Sequence, residues 1–153
     1  MIIAIDPGIV NLGFIAGTLG ADDIQIDTID NVDLTTFPGD HLPDKISAFV
    51  ESRRELFTAA RKIIIEKQPP QSAALAVEAV LYMIFKSNGW SVRFVHPTST
   101  ASFFGTLGME YNLRKRENIK RAYGYIKDLQ LPEGRLHDIC DAVCLLIYIK
   151  EHP

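Results

Sequence analysis

The sequence predicts an α/β protein: a mixed five-stranded sheet, made of a three-strand antiparallel meander plus two further strands, with helices on both faces. Short apolar runs separated by turn sequences fill the first third of the chain. Longer segments with helical spacing follow, and no repeat or linker interrupts the 153 residues. A chain of this length buries roughly 70% of its unfolded surface on folding. We therefore expect one domain over residues 1–153.

The first three strands are predicted at residues 2–5, 12–18 and 24–29. Asp6-Pro7-Gly8 is a turn sequence that closes the first strand, and a short polar turn separates the second from the third, which favours a meander. Residues 30–43, rich in Asp, Thr, Gly and Pro, are expected to form a loop. Residues 62–66 and 91–95 supply the two further strands.

Four helices are predicted. The first begins near Asp44 and extends into the fifties. The second, residues 72–85, is apolar nearly all round with Glu78 its only charge, so we expect the sheet and a second subunit to cover it. Residues 113–129 form a basic helix, and residues 136–150 form the last helix.

Composition excludes several classes of protein. With 47% hydrophobic and 23% charged residues, the chain is neither disordered nor fibrous. No apolar run reaches the roughly 18 residues of a membrane span. The chain begins on a strand-like segment, so we expect no signal or transit peptide. Cys140 and Cys144 lie in one helical segment and favour a reducing, cytosol-like compartment.

The net charge of −3 conceals an uneven distribution. Residues 1–60 carry a formal charge of −7, residues 61–127 carry +7, and residues 128–153 carry −3. A basic middle between acidic ends indicates a polyanion-binding surface beside carboxylates collected for another purpose.

Four carboxylates occupy positions that folding alone does not require. Asp6 and Glu66 each end a predicted strand, while Asp138 and Asp141 share one face of the last helix. Two like charges at this spacing repel unless a cation lies between them. One strand-end carboxylate alone is as often a turn former or a helix cap. The set of four predicts a site for Mg²⁺ or Mn²⁺, which prefer oxygen ligands.

These carboxylates lie in three motifs that resemble a known family. The segments IDPGIVNLGF, IIIEKQ and HDICDAVCLL resemble the acidic motifs of RuvC-type Holliday junction resolvases, and the resemblance spans almost the whole chain. The compact form is most similar to the resolvases of poxviruses and related large DNA viruses, and next to those of fungal mitochondria. The resemblance implies an RNase H-like nuclease domain acting in viral DNA replication and recombination, with the host cytoplasm as its location.

The resemblance also implies a mechanism. Asp6, Glu66, Asp138 and Asp141 would hold two Mg²⁺ ions, for which Mn²⁺ substitutes, to activate a water and stabilise the leaving 3′ oxygen. A homodimer would nick opposing strands of a four-way DNA junction symmetrically. We expect no small-molecule cofactor and no membrane partner.

The basic segment supports a DNA partner. It places five cations within eight residues, interrupted only by Glu117, whereas a solvated helix face normally mixes signs. Its apolar stripe is expected to include Tyr123. The resemblance places a catalytic lysine here, and Lys115 is the candidate, with Lys120 next. The expected DNA-binding residues are Arg114, Arg116, Lys120, Arg121, Lys127 and Lys67.

Other polar and aromatic residues have ordinary explanations. Glu78 is expected to pair across an interface or to face solvent. His137 either assists the acidic pair or lies at the surface as a cap. Trp90 and Phe94 are expected in the core rather than stacked on bases, and Cys140 and Cys144 are expected to pack.

One departure from the resembled family concerns the junction centre. Bacterial members carry an aromatic residue shortly after the second-motif glutamate, whereas here Lys67-Gln68-Pro69-Pro70 follows Glu66. How the junction is opened, and with what sequence preference, is therefore left open.

Alternative functions differ in substrate or class. An RNase H-like nuclease acting on RNA or on simpler branched DNA would need the same residues, because phosphate contacts carry no information about structure. A nuclease-dead junction-binding module would not need four carboxylates. An ATP-binding protein of the actin or hexokinase kind would need a second phosphate loop and two large lobes, which 153 residues cannot supply.

Overall fold

A computed structural model describes residues 1–132 and 136–153. Its five strands form one sheet in the order β3-β2-β1-β4-β5. The first three strands pair antiparallel, and β4 pairs parallel with both β1 and β5. The predicted mixed sheet is confirmed, with strands β1 Ile2–Asp6, β2 Asn11–Leu19, β3 Ile24–Asp33, β4 Lys62–Glu66 and β5 Val92–Val95.

Helices cover both faces of the sheet. Within the described ranges they are α1 Leu42–Ser52, α2 Arg54–Ala59, α3 Leu75–Ser87, α4 Pro97–Phe103, α5 Tyr111–Ile126 and α6 Leu136–Glu151, with a 3-10 turn at Leu34–Thr36. None of these helices is long and apolar enough to cross a membrane.

The structure corrects the prediction for three segments. Strand β3 continues to Asp33, where a loop was expected, because residues 30–33 pair with β2 and place Val32 in the core. The helix expected from Asp44 divides at Arg53 into α1 and α2. Helix α4 was not predicted, because its Ser/Thr-rich sequence behind Pro97 has the composition of a loop.

Odd-numbered residues of β1 and β4 face one helical layer. Ile3 and Ile5 of β1 and Ile63 and Ile65 of β4 pack in a core with buried residues of α1, α2 and α3. That core holds the aromatic side chains Phe14, Phe49, Phe57, Phe85 and Trp90, several of them in edge-to-face contact at centroid distances near 6 Å. The expectation that Trp90 and Phe94 pack against the core is confirmed.

Even-numbered residues of β1 and β4 face the other layer, formed by α5 and α6. Ile2, Ala4 and Ile64 pack there against buried residues of both helices. Helix α6 lies so close to β2 that an ideal Cβ at Gly13 would be 2.1 Å from the carbonyl oxygen of Asp138. Because Gly13 has no side chain, the first turn of α6 can lie this close to β2.

Candidate active site

The carboxyl ends of β1 and β4 meet at the same edge of the sheet. Ile5 pairs with Ile65 in the parallel ladder, so Asp6 and Glu66 follow side by side. Both are even-numbered and face the layer of α5 and α6. They lie in a cleft of about 800 Å³ whose lining includes Asp6, Glu66, Asp138, Asp141, Lys115, Asn118 and His137. The structure thus brings all four predicted carboxylates to one cleft.

Asp6 and Glu66 share a hydrogen bond between their carboxyl groups. Burial, followed by the negative charge of Glu66 and then that of Asp141, holds the pKa of Asp6 well above its usual range. Burial, and then the charge of Asp141, raises the pKa of Glu66 to about 7. Both shifts follow from carboxyl groups held together where water is scarce.

Asp141 is bound by two side chains of α5. Its side chain is only 6% exposed, and it accepts hydrogen bonds from the Lys115 ammonium and from Asn118 Nδ2, the latter at 2.8 Å. Although burial alone would lower the pKa of Lys115, the nearby Asp141 and Asp6 carboxylates raise it above its usual value. Lys115 therefore remains charged and lies among the acidic side chains.

Asp138 lies one turn before Asp141 on α6. Its Oδ1 atom is 3.1 Å from Nε2 of His137, and its side chain is 14% exposed. The neighbouring histidine therefore contacts the acidic pair rather than facing away from it.

The donor set fits a hard divalent cation. Besides burial, the negative charges of Glu66 and Asp141 raise the pKa of Asp6, and the charge of Asp141 raises the pKa of Glu66. These shifts indicate more negative charge than the single ammonium of Lys115 balances. Within residues 1–132 and 136–153, no three His, Cys, Asp or Glu side chains are clustered tightly enough to hold one ion together. In this arrangement the Lys115 ammonium supplies the positive charge at Asp141.

Comparison with known proteins identifies the family. The model of the family described as Poxvirus A22 protein matches residues 1–150. The chain belongs to this family. No curated protein sequence matches it significantly.

Solved structures share the fold of this poxvirus A22 family member. The fowlpox virus Holliday junction resolvase is 18% identical, with a TM-score of 0.69 over 99% of both chains. The fowlpox resolvase in complex with substrate junction DNA is 18% identical, with a TM-score of 0.74 over 100% of both chains. The RuvC structure from Thermus thermophilus is 18% identical, with a TM-score of 0.67 over 96% of this chain and 91% of the other. The predicted family resemblance and the RNase H-like fold are confirmed.

The predicted DNA-binding residues of the A22 family member lie in different surroundings. Arg114 lines the cleft. Arg121 donates to the carbonyl oxygen of Phe104 at 2.8 Å and lies over its ring. Arg116, Lys120 and Lys127 are exposed on another side of α5, and Lys120 pairs with Glu117.

Lys67 also lines the cleft, but away from the α5 residues, where the cleft meets α3. Its ammonium is 2.5 Å from Oε1 of Glu78 and lies over the ring of Phe94 at 4.7 Å. The prediction for Glu78 was wrong: it neither faces solvent nor awaits a second subunit, because it is 2% exposed and paired within its own chain. A contact between a helix and the far end of a strand has no signature in local sequence.

Sequence reasoning also missed two residues at the cleft and misplaced one. Asn118 was not singled out, although it follows Lys115 by three residues and so shares its helix face. Tyr111, 56% exposed, also lines the cleft. Tyr123, expected in the apolar stripe, is 58% exposed because α5 turns that side toward solvent.

Proposed function

We propose that this A22 family member is a structure-selective endonuclease that resolves four-way (Holliday) DNA junctions by paired, symmetric nicks. The observation that carries the proposal is the convergence of Asp6, Glu66, Asp138 and Asp141 on one cleft with Lys115. The fold is shared with a resolvase whose structure holds junction DNA.

The same cleft supports a dependence on Mg²⁺, with Mn²⁺ as a substitute. Asp6, Glu66, Asp138 and Asp141 would hold the metal, two ions per site, since carboxylate oxygens are the ligands these ions prefer. When bound, Mg²⁺ supplies a hydrolytic water of lowered pKa and charge stabilisation at the phosphate.

The other residues of the cleft would bind the DNA backbone or orient the carboxylates. The Lys115 ammonium donates to Asp141 in this structure, and it is positioned to donate to a phosphate oxygen that enters the cleft. Asn118 fixes the second oxygen of Asp141, and His137 fixes one oxygen of Asp138. Arg114 at the cleft supplies a further contact to the DNA backbone.

A homodimer is part of the proposal, because two cuts on opposing strands need two clefts. Helix α3 supplies a surface for it: Met83 is 65% exposed, and Ala76 and Ala79 are exposed beside it. An apolar helix side of this kind is typical of a subunit interface.

The deciding experiment compares four-way junctions, three-way forks and linear duplexes of equal arm length, each with Mg²⁺. We expect paired nicks at symmetric positions of the four-way junction and much slower cutting of the linear duplex. Equal rates on linear duplex would reject junction resolution, and faster cutting of forks or of RNA would favour the wider class of RNase H-like nucleases.

A further inference from the structure

Helix α5 carries its cations on two opposite sides. At about 100° per residue, the cleft-lining residues Tyr111, Arg114, Lys115 and Asn118 fall on one side. Arg116, Lys120 and Lys127 fall on another, whose centre lies about 170° away. We call these three residues the outer stripe.

The outer stripe faces solvent. The Lys120 side chain is 72% exposed, and Arg116 and Lys127 are also exposed. Ala122 and Ile126, centred about 120° away around the helix, are buried against the α6 layer. Two acidic residues neighbour the stripe. Glu117 pairs with Lys120 at the surface, where such a pair contributes little, and the exposed Asp128 directly follows Lys127.

A single duplex contacts both sides of a helix only when the helix enters its major groove. Helix α5 is not free to do so, because Ala122 and Ile126 are buried against the α6 layer. A helix with its side chains is about 10–12 Å thick, so a backbone seated in the cleft passes on one side of it. A phosphate backbone at the outer stripe must then belong to another segment. A branched DNA provides such a segment, because its arms leave the same point in different directions, whereas a short linear duplex does not.

We propose that the outer stripe is a second DNA-contact surface, which binds an arm other than the one whose strand lies in the cleft. This inference rests on the proposed function, since it assigns to the outer stripe a part of the selectivity for branched over linear DNA. Tyr123, 58% exposed beside these cations, adds a hydroxyl that can donate to the same backbone.

The test is the triple variant R116Q/K120Q/K127Q, with Ca²⁺ replacing Mg²⁺ so that binding is measured without cutting. Dissociation constants for a four-way junction and for a linear duplex of equal arm length are measured at several salt concentrations. Because each phosphate contact contributes about 0.9 to the slope of log K against log salt, the slope for the junction should become shallower by roughly 2 to 3. Junction affinity should fall about tenfold or more, and the linear duplex should bind as before.

A matched control removes the same charge elsewhere. Arg61 and Lys62 lie at the start of the strand that ends in Glu66, and Lys150 lies in the last turn of α6. The variant R61Q/K62Q/K150Q should leave both slopes unchanged. Equal weakening of junction and duplex by the outer-stripe variant, or an unchanged junction slope, would overturn the inference. The proposed function fails separately, if the wild-type protein does not cut junctions.

The contacts of the buried Glu78 carboxylate support a second, independent inference. This carboxylate accepts from the Lys67 ammonium and from the backbone N–H of Gln68, both at 2.5 Å. Gln68 in turn donates from Nε2 to the carbonyl oxygen of Glu66 at 3.4 Å. The contacts hold the two residues that directly follow a carboxylate of the cleft.

We infer that Glu78 is a positioning residue, which holds the Lys67 ammonium at the α3 edge of the cleft and away from the Glu66 carboxylate. Lys67 and Glu66 are consecutive, so their side chains point to opposite faces of the sheet. Without the Glu78 charge, the flexible Lys67 side chain is free to turn from the edge of the cleft toward Glu66 and Asp6. It would then neutralise part of the charge that attracts a divalent cation.

The variants E78Q and E78Q/K67M test this inference, with Mn²⁺ binding to the DNA-free protein measured by electron paramagnetic resonance. E78Q should bind Mn²⁺ about fivefold more weakly, as expected for one added positive charge near the site, and K67M in the same background should restore the affinity. The exposed control E51Q should bind as wild type. Wild-type affinity in E78Q, or weakening that K67M does not restore, would overturn the inference. Absence of Mn²⁺ binding by the wild type would instead count against the proposed metal site.

Discussion

At the scale of single residues, the parity of a position in its strand decides which layer its side chain reaches. Asp6 and Glu66 are even-numbered, as are Ala4 and Ile64, which pack under α6. Lys67, one residue later, belongs to the opposite face and is bound there by Glu78. A shift of one residue in either strand would exchange a cleft carboxylate for a side chain of the other layer.

Asp138→Asn tests the acidic pair. We expect junction cleavage to fall by more than about 100-fold, since loss of an outer-shell partner of a metal site already costs roughly 10–100-fold. Binding of the junction in Ca²⁺ should persist. The exposed Asp22→Asn, in the turn between β2 and β3, is the control and should cut normally. Wild-type nicking by Asp138→Asn would show that the metal assignment is wrong.

Lys115→Met separates the two candidate catalytic lysines. Lys115 binds Asp141 inside the cleft, whereas Lys120 is exposed and pairs with Glu117. Loss of Lys115 should lower the cleavage rate at saturating enzyme by about 100-fold. Lys120→Met should weaken junction binding but leave that saturating rate unchanged. The opposite ranking in single-turnover assays would assign catalysis to Lys120.

The identities of the cleft carboxylates were predictable from sequence because each ends a strand or begins a helix within a recognisable motif. The partners of these carboxylates were not. The bond from Asn118 to Asp141 spans 23 residues, and the bond from Lys67 to Glu78 crosses from a strand end to a helix. Neither leaves a local pattern that distinguishes it from a solvated polar residue.

At the scale of elements, patterns with strong periodicity were predicted well. Strand β4 has its predicted bounds, and α6 contains all of the predicted residues 136–150. Strand β3 and helix α4 were misjudged because their polar residues lie at an edge or near the surface. Tertiary pairing, rather than propensity, determines such segments.

The approach of α6 to β2 makes Gly13→Ala a test of element packing. An added Cβ would lie 2.1 Å from the Asp138 carbonyl oxygen, so α6 must shift. We expect a loss of about 1–3 kcal/mol in the free energy of unfolding, together with weaker cleavage. Gly124→Ala is the control, since nothing lies within 4 Å of its added Cβ on α5. That variant should be stabilised by about 0.5–1 kcal/mol. Equal effects of the two substitutions in urea unfolding would contradict the packing argument.

At the scale of the whole molecule, the cleft opposes folding when no cation is bound. The folded protein holds a proton on Glu66 up to about pH 7, whereas the unfolded chain releases it near pH 4.5. The unfolded state therefore binds fewer protons between these values, and stability falls as the pH rises through this window. The raised pKa of Asp6 acts in the same direction.

Urea unfolding in EDTA measures this effect. The free energy of unfolding should be highest near pH 5 and fall by up to about 3 kcal/mol by pH 8. Glu66→Gln removes the ionisation, so its stability should depend less on pH and exceed that of the wild type at pH 8. A wild-type protein that becomes more stable between pH 5 and 7 would contradict the sign.

The proposed dimer predicts a phenotype for Met83→Glu. A charge in the middle of the apolar side of α3 should convert dimers into monomers in light scattering coupled to gel filtration. Cleavage should change from paired to single, uncoordinated nicks. Ser47→Glu, exposed on α1, adds the same charge elsewhere and should leave the dimer intact. An unchanged mass for Met83→Glu would place the interface away from α3.

The chain has one tryptophan. Because of its location, tryptophan fluorescence reports on only one of the two helical layers. Trp90 stacks on Phe57 at 5.5 Å, in the layer of α1, α2 and α3, while the acidic cleft opens on the other face of the sheet. Its emission therefore follows the melting of that layer and is insulated from direct quenching by DNA in the cleft. A fluorescence change on adding a junction would thus report a rearrangement transmitted through the sheet.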